Sequence, residues 1–83
     1  MTSSMKRVTL YTKDGCHLCE QALAVIEQVR RQHPFDLVLI DILDQPAAYD
    51  LYKHDIPVVL LDGGEIARHR LTAGQLVDHL SRR

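Results

Sequence analysis

Two cysteines, Cys16 and Cys19, are the residues of this 83-residue chain whose type and spacing best suit chemistry. Two residues separate them, so one thiolate can attack a disulfide and the other can resolve the mixed disulfide that forms. Three roles are open to such a pair: a structural disulfide, part of a metal site, or a reactive dithiol. A structural disulfide is disfavoured because closing so short a loop removes little chain entropy.

A metal site is the main alternative to a dithiol. Zinc held by four protein ligands would require two further side chains, and the chain has no second CxxC motif. His17, His54 and Asp55 are available, but they match no ligand spacing. Two inert cysteines in the core are a further interpretation. A metal or iron–sulfur binding module, built on the two cysteines in one chain or across a dimer, is therefore the alternative hypothesis for function.

The composition limits the compartment and the partners. Hydrophobic residues make up 46% and charged residues 25% of the chain, as in ordinary soluble proteins. The net charge is -1, from 10 Lys+Arg and 11 Asp+Glu, which gives a nucleic-acid partner no support. The apolar runs 37–40 and 58–61 are too short to span a membrane. Residues 1–6 precede no apolar segment of a signal peptide, and secreted domains of this size usually carry several disulfides. We therefore expect a cytoplasmic protein.

Strands and helices alternate around the cysteine pair. The sequence predicts strands over residues 8–12, 35–42, 58–61 and 65–70, and helices over 17–32, over 47–53 and after 72. Pro34 ends the first helix, and Asp44 is the expected cap of the second, with Pro46 in its first turn. Residues 62–64 are predicted to form a hairpin turn, and residues 72–75 a capping box that opens the last helix.

This order predicts an α/β fold of the type β-α-β-α-β-β-α, with helices on both faces of a mixed four-stranded sheet. Residues 1–83 are expected to form a single domain, with residues 1–5 as a flexible tail. The second strand is nearly all apolar, so we expect it to be covered on both faces. Glu65, Arg68, His69 and Arg70 are assigned to the outer strand. Their charges are interpreted as protection of the sheet edge, with a binding role as the alternative.

Cys16 lies where the first strand's loop passes into the first helix. Unpaired N–H groups and the helix dipole at that end stabilise a thiolate, which is the reactive form of cysteine. His17 would, if protonated, lower the pKa of the neighbouring thiols; otherwise it is an exposed residue with no special role. Pro57 opens a central strand, where a cis Ile56–Pro57 bond would explain its position.

These features together resemble the thioredoxin superfamily, and small glutaredoxin-like proteins most closely. The resemblance rests on VTLYTKDGCHLC, on Asp41-Ile42, on Ile56-Pro57-Val58 and on the Asp62-Gly63 turn. It implies that Cys16 attacks, that Cys19 resolves, and that Ile56 and Pro57 form the wall opposite them.

In many glutaredoxins, the position that matches Lys13 contacts a glutathione carboxylate. The usual Cys-Pro-Tyr-Cys motif is Cys16-His17-Leu18-Cys19 here, and the Gly-Gly-x-Asp segment before the last helix is absent. Thr72 and the N–H groups after it are left as candidates to hold a carboxylate. We therefore expect a monomeric thiol–disulfide oxidoreductase that acts on a disulfide-bearing protein or a glutathione adduct. It requires no cofactor or metal, and glutathione is a candidate reductant.

Overall fold

A computed structural model describes residues 5–82 of the chain. Of the predicted flexible tail over residues 1–5, all but Met5 lies outside the described residues. The elements are β1 (Arg7–Thr12), α1 (His17–Arg30), β2 (Asp36–Asp41), a 3₁₀ helix (Ile42–Asp44), α2 (Pro46–Tyr52), β3 (Val58–Leu61), β4 (Gly64–Arg68) and α3 (Ala73–Ser81). The predicted order of strands and α-helices is confirmed. Within residues 5–82, no helix is long and apolar enough to cross a membrane.

The four strands form one mixed sheet in the order β2-β1-β3-β4. β1 pairs with β2 in parallel, and β3 is antiparallel to both β1 and β4. Tyr11 pairs with Val58, which in turn pairs with Arg68. The end of β1, the start of β3 and the end of β4 therefore meet at one end of the sheet. That end carries the cysteine loop, Pro57 and residues 69–72, which are distant in sequence.

The core lies between one face of the sheet and the helices α1 and α3. Val8 and Leu10 of β1 are fully buried there, against Ile26 of α1 and Leu76 of α3. Side chains alternate between the faces of a strand, so Tyr11 points to the other face, where its ring lies 4.7 Å from that of Tyr52 in α2. Burying a large aliphatic side chain contributes about 1.5–3 kcal/mol. The core thus holds the helix that begins at the cysteine pair.

The prediction that the second strand is covered on both faces is wrong. β2 is an edge strand, since only β1 pairs with it. Val38 is 36% and Leu39 51% exposed. An apolar run of this length is compatible with either position, because its composition carries no information about which strands pair beside it.

The predicted hairpin is confirmed, with a turn at Asp62-Gly63 and β4 beginning at Gly64. Asp62 has φ 50 and Gly63 φ 88, and positive φ at both positions suits the twist of a two-residue hairpin. β4 ends at Arg68, so the assignment of His69 and Arg70 to the strand is wrong. His69 has φ 72, a left-handed conformation that turns the chain out of the sheet.

Two helix ends also differ from the prediction. α1 ends at Arg30 rather than at residue 32, and the N–H groups of Gln32 and His33 both donate to the Val29 carbonyl in a closing turn. The N-cap of α2 is Gln45, which makes no side-chain cap bond. Asp44 belongs instead to the 3₁₀ helix, so its assignment as the cap is wrong.

Candidate active site

The cysteine pair lies at the N-terminus of α1, and a disulfide joins Cys16 to Cys19. A tight turn leads into the helix, with Gly15 at φ 79, where a side chain would be strained. The Cys16 N–H donates to the Lys13 carbonyl at 3.2 Å. Cys16 is the N-cap of α1, and its Sγ accepts the N–H of Cys19 at 3.1 Å. A sulfur atom thus occupies the position that a hydroxyl or carboxylate oxygen takes at most helix N-termini.

The two sulfurs differ in accessibility. Cys16 is half-buried, whereas Cys19 is 2% exposed. Solvent therefore reaches Cys16, whereas Cys19 is almost completely covered. The sequence places Cys19 one turn into the helix and so predicts that Cys16 is the more exposed cysteine, and this difference in exposure is confirmed. If the same N–H contact is kept when the disulfide is reduced, it favours a thiolate at Cys16.

His17 and Lys13 are both exposed beside the pair. The Nε2 atom of His17 lies 3.1 Å from the Nε2 atom of Gln21, one turn along α1. The imidazole contact is therefore with an amide on the helix surface. A modulating role for His17 and a substrate contact for Lys13 stay predictions.

Ile56 and Pro57 lie at the same end of the sheet as the cysteines, and the peptide bond between them is cis, as predicted. Pro57 is buried and Ile56 is half-buried. The Pro57 carbonyl accepts the His69 N–H at 2.7 Å. This bond ties the Pro57 loop to the segment that leaves β4, although the wall role of Ile56 and Pro57 stays a prediction.

A charged cluster holds the same two segments together. Asp55 accepts from the His69 ring at 3.1 Å with one carboxylate oxygen, and its other oxygen lies 3.1 Å from the Arg68 guanidinium. Arg68 also donates two hydrogen bonds to Glu65, at 2.6 and 2.7 Å, which lower the pKa of the Glu65 carboxyl. The left-handed φ of His69 costs about 1–2 kcal/mol in a residue with a side chain, and the contact with Asp55 helps to offset this.

The sequence pattern indicated Asp55 only as a candidate metal ligand and gave no sign of this cluster. Its members meet because Val58 pairs with Arg68, which no local pattern reveals. Within residues 5–82, the structure contains no group of three or more His, Cys, Asp or Glu side chains that could hold a metal ion.

Thr72 begins α3 through the predicted capping box, which is confirmed. Its Oγ1 accepts the Gln75 N–H at 3.1 Å, and its own N–H donates to Gln75 Oε1 at 2.9 Å. The Thr72 N–H therefore already has an acceptor, whereas the hydroxyl only accepts in the cap and its hydrogen is not used there. A substrate contact for Thr72 stays a prediction.

The fold and the CxxC pair define a thioredoxin-fold protein whose site supports a redox-type role. The model of the family described as Glutaredoxin-like domain (DUF836) matches residues 7–81. The chain belongs to this family.

One named protein and several solved structures are similar to the chain, and structures that are less than a quarter identical to it show the fold alone. The Dictyostelium discoideum protein named Glutaredoxin-like protein YDR286C homolog is 28% identical over 75 residues, which are 83% of this chain and 69% of that protein. Protein XcR50 from X. campestris is 31% identical with a TM-score of 0.74, covering 88% of this chain and 93% of its own. Protein Ne2328 from Nitrosomonas europaea is 24% identical with a TM-score of 0.81, covering 98% of both chains. Thioredoxins at 13–20% identity share the fold alone.

Proposed function

We propose that this protein is a glutaredoxin-like thiol–disulfide oxidoreductase that reduces or exchanges disulfides through Cys16 and Cys19. The Cys16 thiolate attacks one sulfur of the substrate disulfide, and the other sulfur leaves as a thiolate that takes a proton. Cys19, once deprotonated, attacks Sγ of Cys16. The mixed disulfide breaks, the second substrate sulfur is released as a thiol, and the Cys16–Cys19 disulfide forms. The substrate gains two electrons and two protons, and the pair is oxidised by two electrons.

One observation carries the proposal: the half-buried sulfur at the helix N-terminus accepts the Cys19 N–H at 3.1 Å, with the second sulfur buried behind it. This arrangement gives one cysteine the features of a nucleophile and leaves the other positioned to resolve. The disulfide between them is the product that the second step requires.

The chain needs an external thiol to return to the reduced state. Glutathione is the proposed candidate reductant, and the dithiol of a reductase is the alternative. The proposed substrate is a disulfide-bearing protein or a glutathione adduct, and the proposed compartment is the cytoplasm, where thiols are kept reduced. The protein's own part of the chemistry involves only its two sulfurs and requires no cofactor.

The direct test is reduction of insulin by the pre-reduced protein, with dithiothreitol removed and the thiols of insulin counted after it is separated from the protein. The unmodified chain should release two thiols per molecule oxidised. Cys16→Ser should release none. Cys19→Ser should stop at the first step and accumulate a mixed disulfide, which intact-mass measurement detects as the added mass of one insulin molecule, because a second disulfide still joins its two chains.

Ala24→Ser serves as the matched control, since it adds a hydroxyl to an exposed position of the same helix. Activity that persists in Cys16→Ser would refute the mechanism. Metal analysis of protein purified without oxygen addresses the alternative function, because stoichiometric zinc or iron lost in either cysteine variant would support a binding module instead.

A further inference from the structure

A cavity of ≈ 190 Å³ lies between α1 and the segment that leads into α3. Its apolar lining comes from Leu18, Ala22 and Val25 of α1 and from Leu71. Leu18 stands between the two cysteines in the sequence, and residues 69–72 lie at the same end of the sheet as the cysteine loop, so the cavity is at the end of the molecule that carries the proposed nucleophile. Sequence analysis gave Leu18 no role beyond the apolar face of the helix.

The volume suits one side chain of a bound protein. A dry apolar cavity of about 150 Å³ is large enough to take up benzene, so ≈ 190 Å³ accommodates an aliphatic or aromatic side chain. A larger hollow of ≈ 480 Å³ lies around Arg7, Asp36 and Asp62. That hollow is at the start of β1, whereas the cysteines follow its end, so it is remote from the redox chemistry.

Arg70 adds a positive charge to the cavity lining. It is exposed, and among residues 5–82 no acidic side chain forms an ion pair with it. The nearby carboxylates, Asp55 and Glu65, are engaged by His69 and Arg68. The guanidinium is therefore available to a carboxylate that arrives with the substrate.

We propose that this cavity selects the protein substrate: it binds an apolar side chain close to the substrate cysteine, and Arg70 pairs with an acidic residue beside that side chain. The proposal rests on the oxidoreductase function proposed above. An extended segment advances about 3.3 Å per residue, so the side chain that enters lies within a few positions of the attacked cysteine. Glutathione carries carboxylates but no apolar side chain, so it could meet Arg70 while leaving the cavity empty.

The test uses symmetric disulfide dimers of short synthetic peptides, in which attack on either sulfur gives the same products. Four peptides place Leu or Ala, combined with Glu or Gln, next to the cysteine, and oxidised glutathione is the fifth substrate. The reduced Cys19→Ser protein is mixed with each, and the rate of mixed-disulfide formation is followed by mass spectrometry. Leu should react roughly tenfold faster than Ala, as expected for burying a few methylene groups. Glu should react about two- to fivefold faster than Gln, as expected for an exposed ion pair.

Three substitutions in the same background assign the effects. Arg70→Gln should remove the preference for Glu and keep the preference for Leu. Arg70→Lys should keep part of the preference for Glu, because it retains a positive charge. Leu18→Ala should weaken the preference for Leu. Arg31→Gln is the matched control, because Arg31 is exposed at the far end of α1. Circular dichroism and the alkylation profile of Cys16 show whether each variant is folded with an unchanged thiol.

The outcomes separate the two proposals. Equal rates for all four peptides, or a faster reaction with oxidised glutathione than with the Leu-Glu peptide, would overturn the specificity and leave the oxidoreductase intact. An equal loss of rate toward every peptide in Arg70→Gln would also overturn it, because Arg70 would then act on the thiol and not on the substrate. If neither insulin nor any peptide reacts with the unmodified protein, the proposed function fails, and the specificity fails with it.

Discussion

The asymmetry between the two thiols is tested by studying each cysteine alone. With Cys19→Ser, the Cys16 thiolate faces the backbone N–H at position 19, which lies 3.1 Å from Sγ in the oxidised protein. A hydrogen bond to a charged group contributes about 1.5–3 kcal/mol, and the helix dipole about 0.3–1 kcal/mol. Because Cys16 is only half-buried, we take the lower end of each of these two energy ranges. Together they favour the thiolate by about 2 kcal/mol.

That free energy translates into a reaction rate. A free cysteine is about 3% ionised at pH 7, and about 2 kcal/mol lowers the pKa of the Cys16 thiol enough to ionise close to half of it. A thiolate of lower basicity is also a weaker nucleophile, and the decrease in pKa that corresponds to about 2 kcal/mol slows the thiolate roughly fivefold. The net expectation is that Cys16 reacts about threefold faster than a free cysteine at pH 7. Cys19, at 2% exposure, should react more slowly than either.

The assay is the rate of iodoacetamide alkylation between pH 5 and pH 10, measured for the Cys19→Ser and Cys16→Ser variants under reducing conditions. Free glutathione provides the reference thiol, and Ala24→Ser in each background controls for a change on the helix surface. The reasoning would be refuted if Cys19 proved the faster thiol at neutral pH, or if both cysteines titrated like the reference.

Three further predictions follow from the contacts around the site. Glutathione should bind weakly, because the Gly-Gly-x-Asp segment is absent and the Thr72 N–H is engaged in the cap. Lys13→Ala and Thr72→Ala should therefore leave its KM nearly unchanged, and a large rise in both would identify a true glutathione site. His17→Ala should leave the alkylation midpoint of Cys16 in place, since the ring is exposed on the helix surface; an upward shift would show that its charge acts on the sulfur. The Arg68 hydrogen bonds lower the pKa of Glu65 from 4.5, so their small stabilisation is complete at neutral pH and is lost as the pH falls through the folded-state pKa. Denaturant titrations between pH 3 and pH 7 should show Glu65→Gln with a weaker acid dependence than the unmodified chain; equal dependence would contradict the assignment.

Sequence reasoning succeeded where the determining contacts are local. The capping box at Thr72 and Gln75 is confirmed because its two hydrogen bonds join residues three positions apart. The turn at Asp62-Gly63 is confirmed because the two residues tolerate the positive φ that such a turn requires. The same kind of signal located the start of α1 at the cysteine pair.

It failed where the outcome depends on neighbours in space. The apolar composition of β2 suggested burial on both faces, but the edge position of the strand exposes Leu39. His69 and Arg70 were assigned to a strand because the pattern of residues gives no sign that His69 adopts a left-handed backbone. In both cases the deciding interactions involve residues far away in the chain.

The sequence by itself therefore determined the order of elements, the position of Cys16 at a helix N-terminus and the chemistry open to the pair, since periodicity, caps and turns are properties of short segments. Only the tertiary structure decided that Asp55 bonds to His69 and Arg68, and that a cavity opens between Leu18 and Leu71. Each of these depends on the pairing of β1, β3 and β4 and on the packing of α1 against the sheet. Such contacts are set by the free energy of the whole fold, which no short segment of the chain encodes.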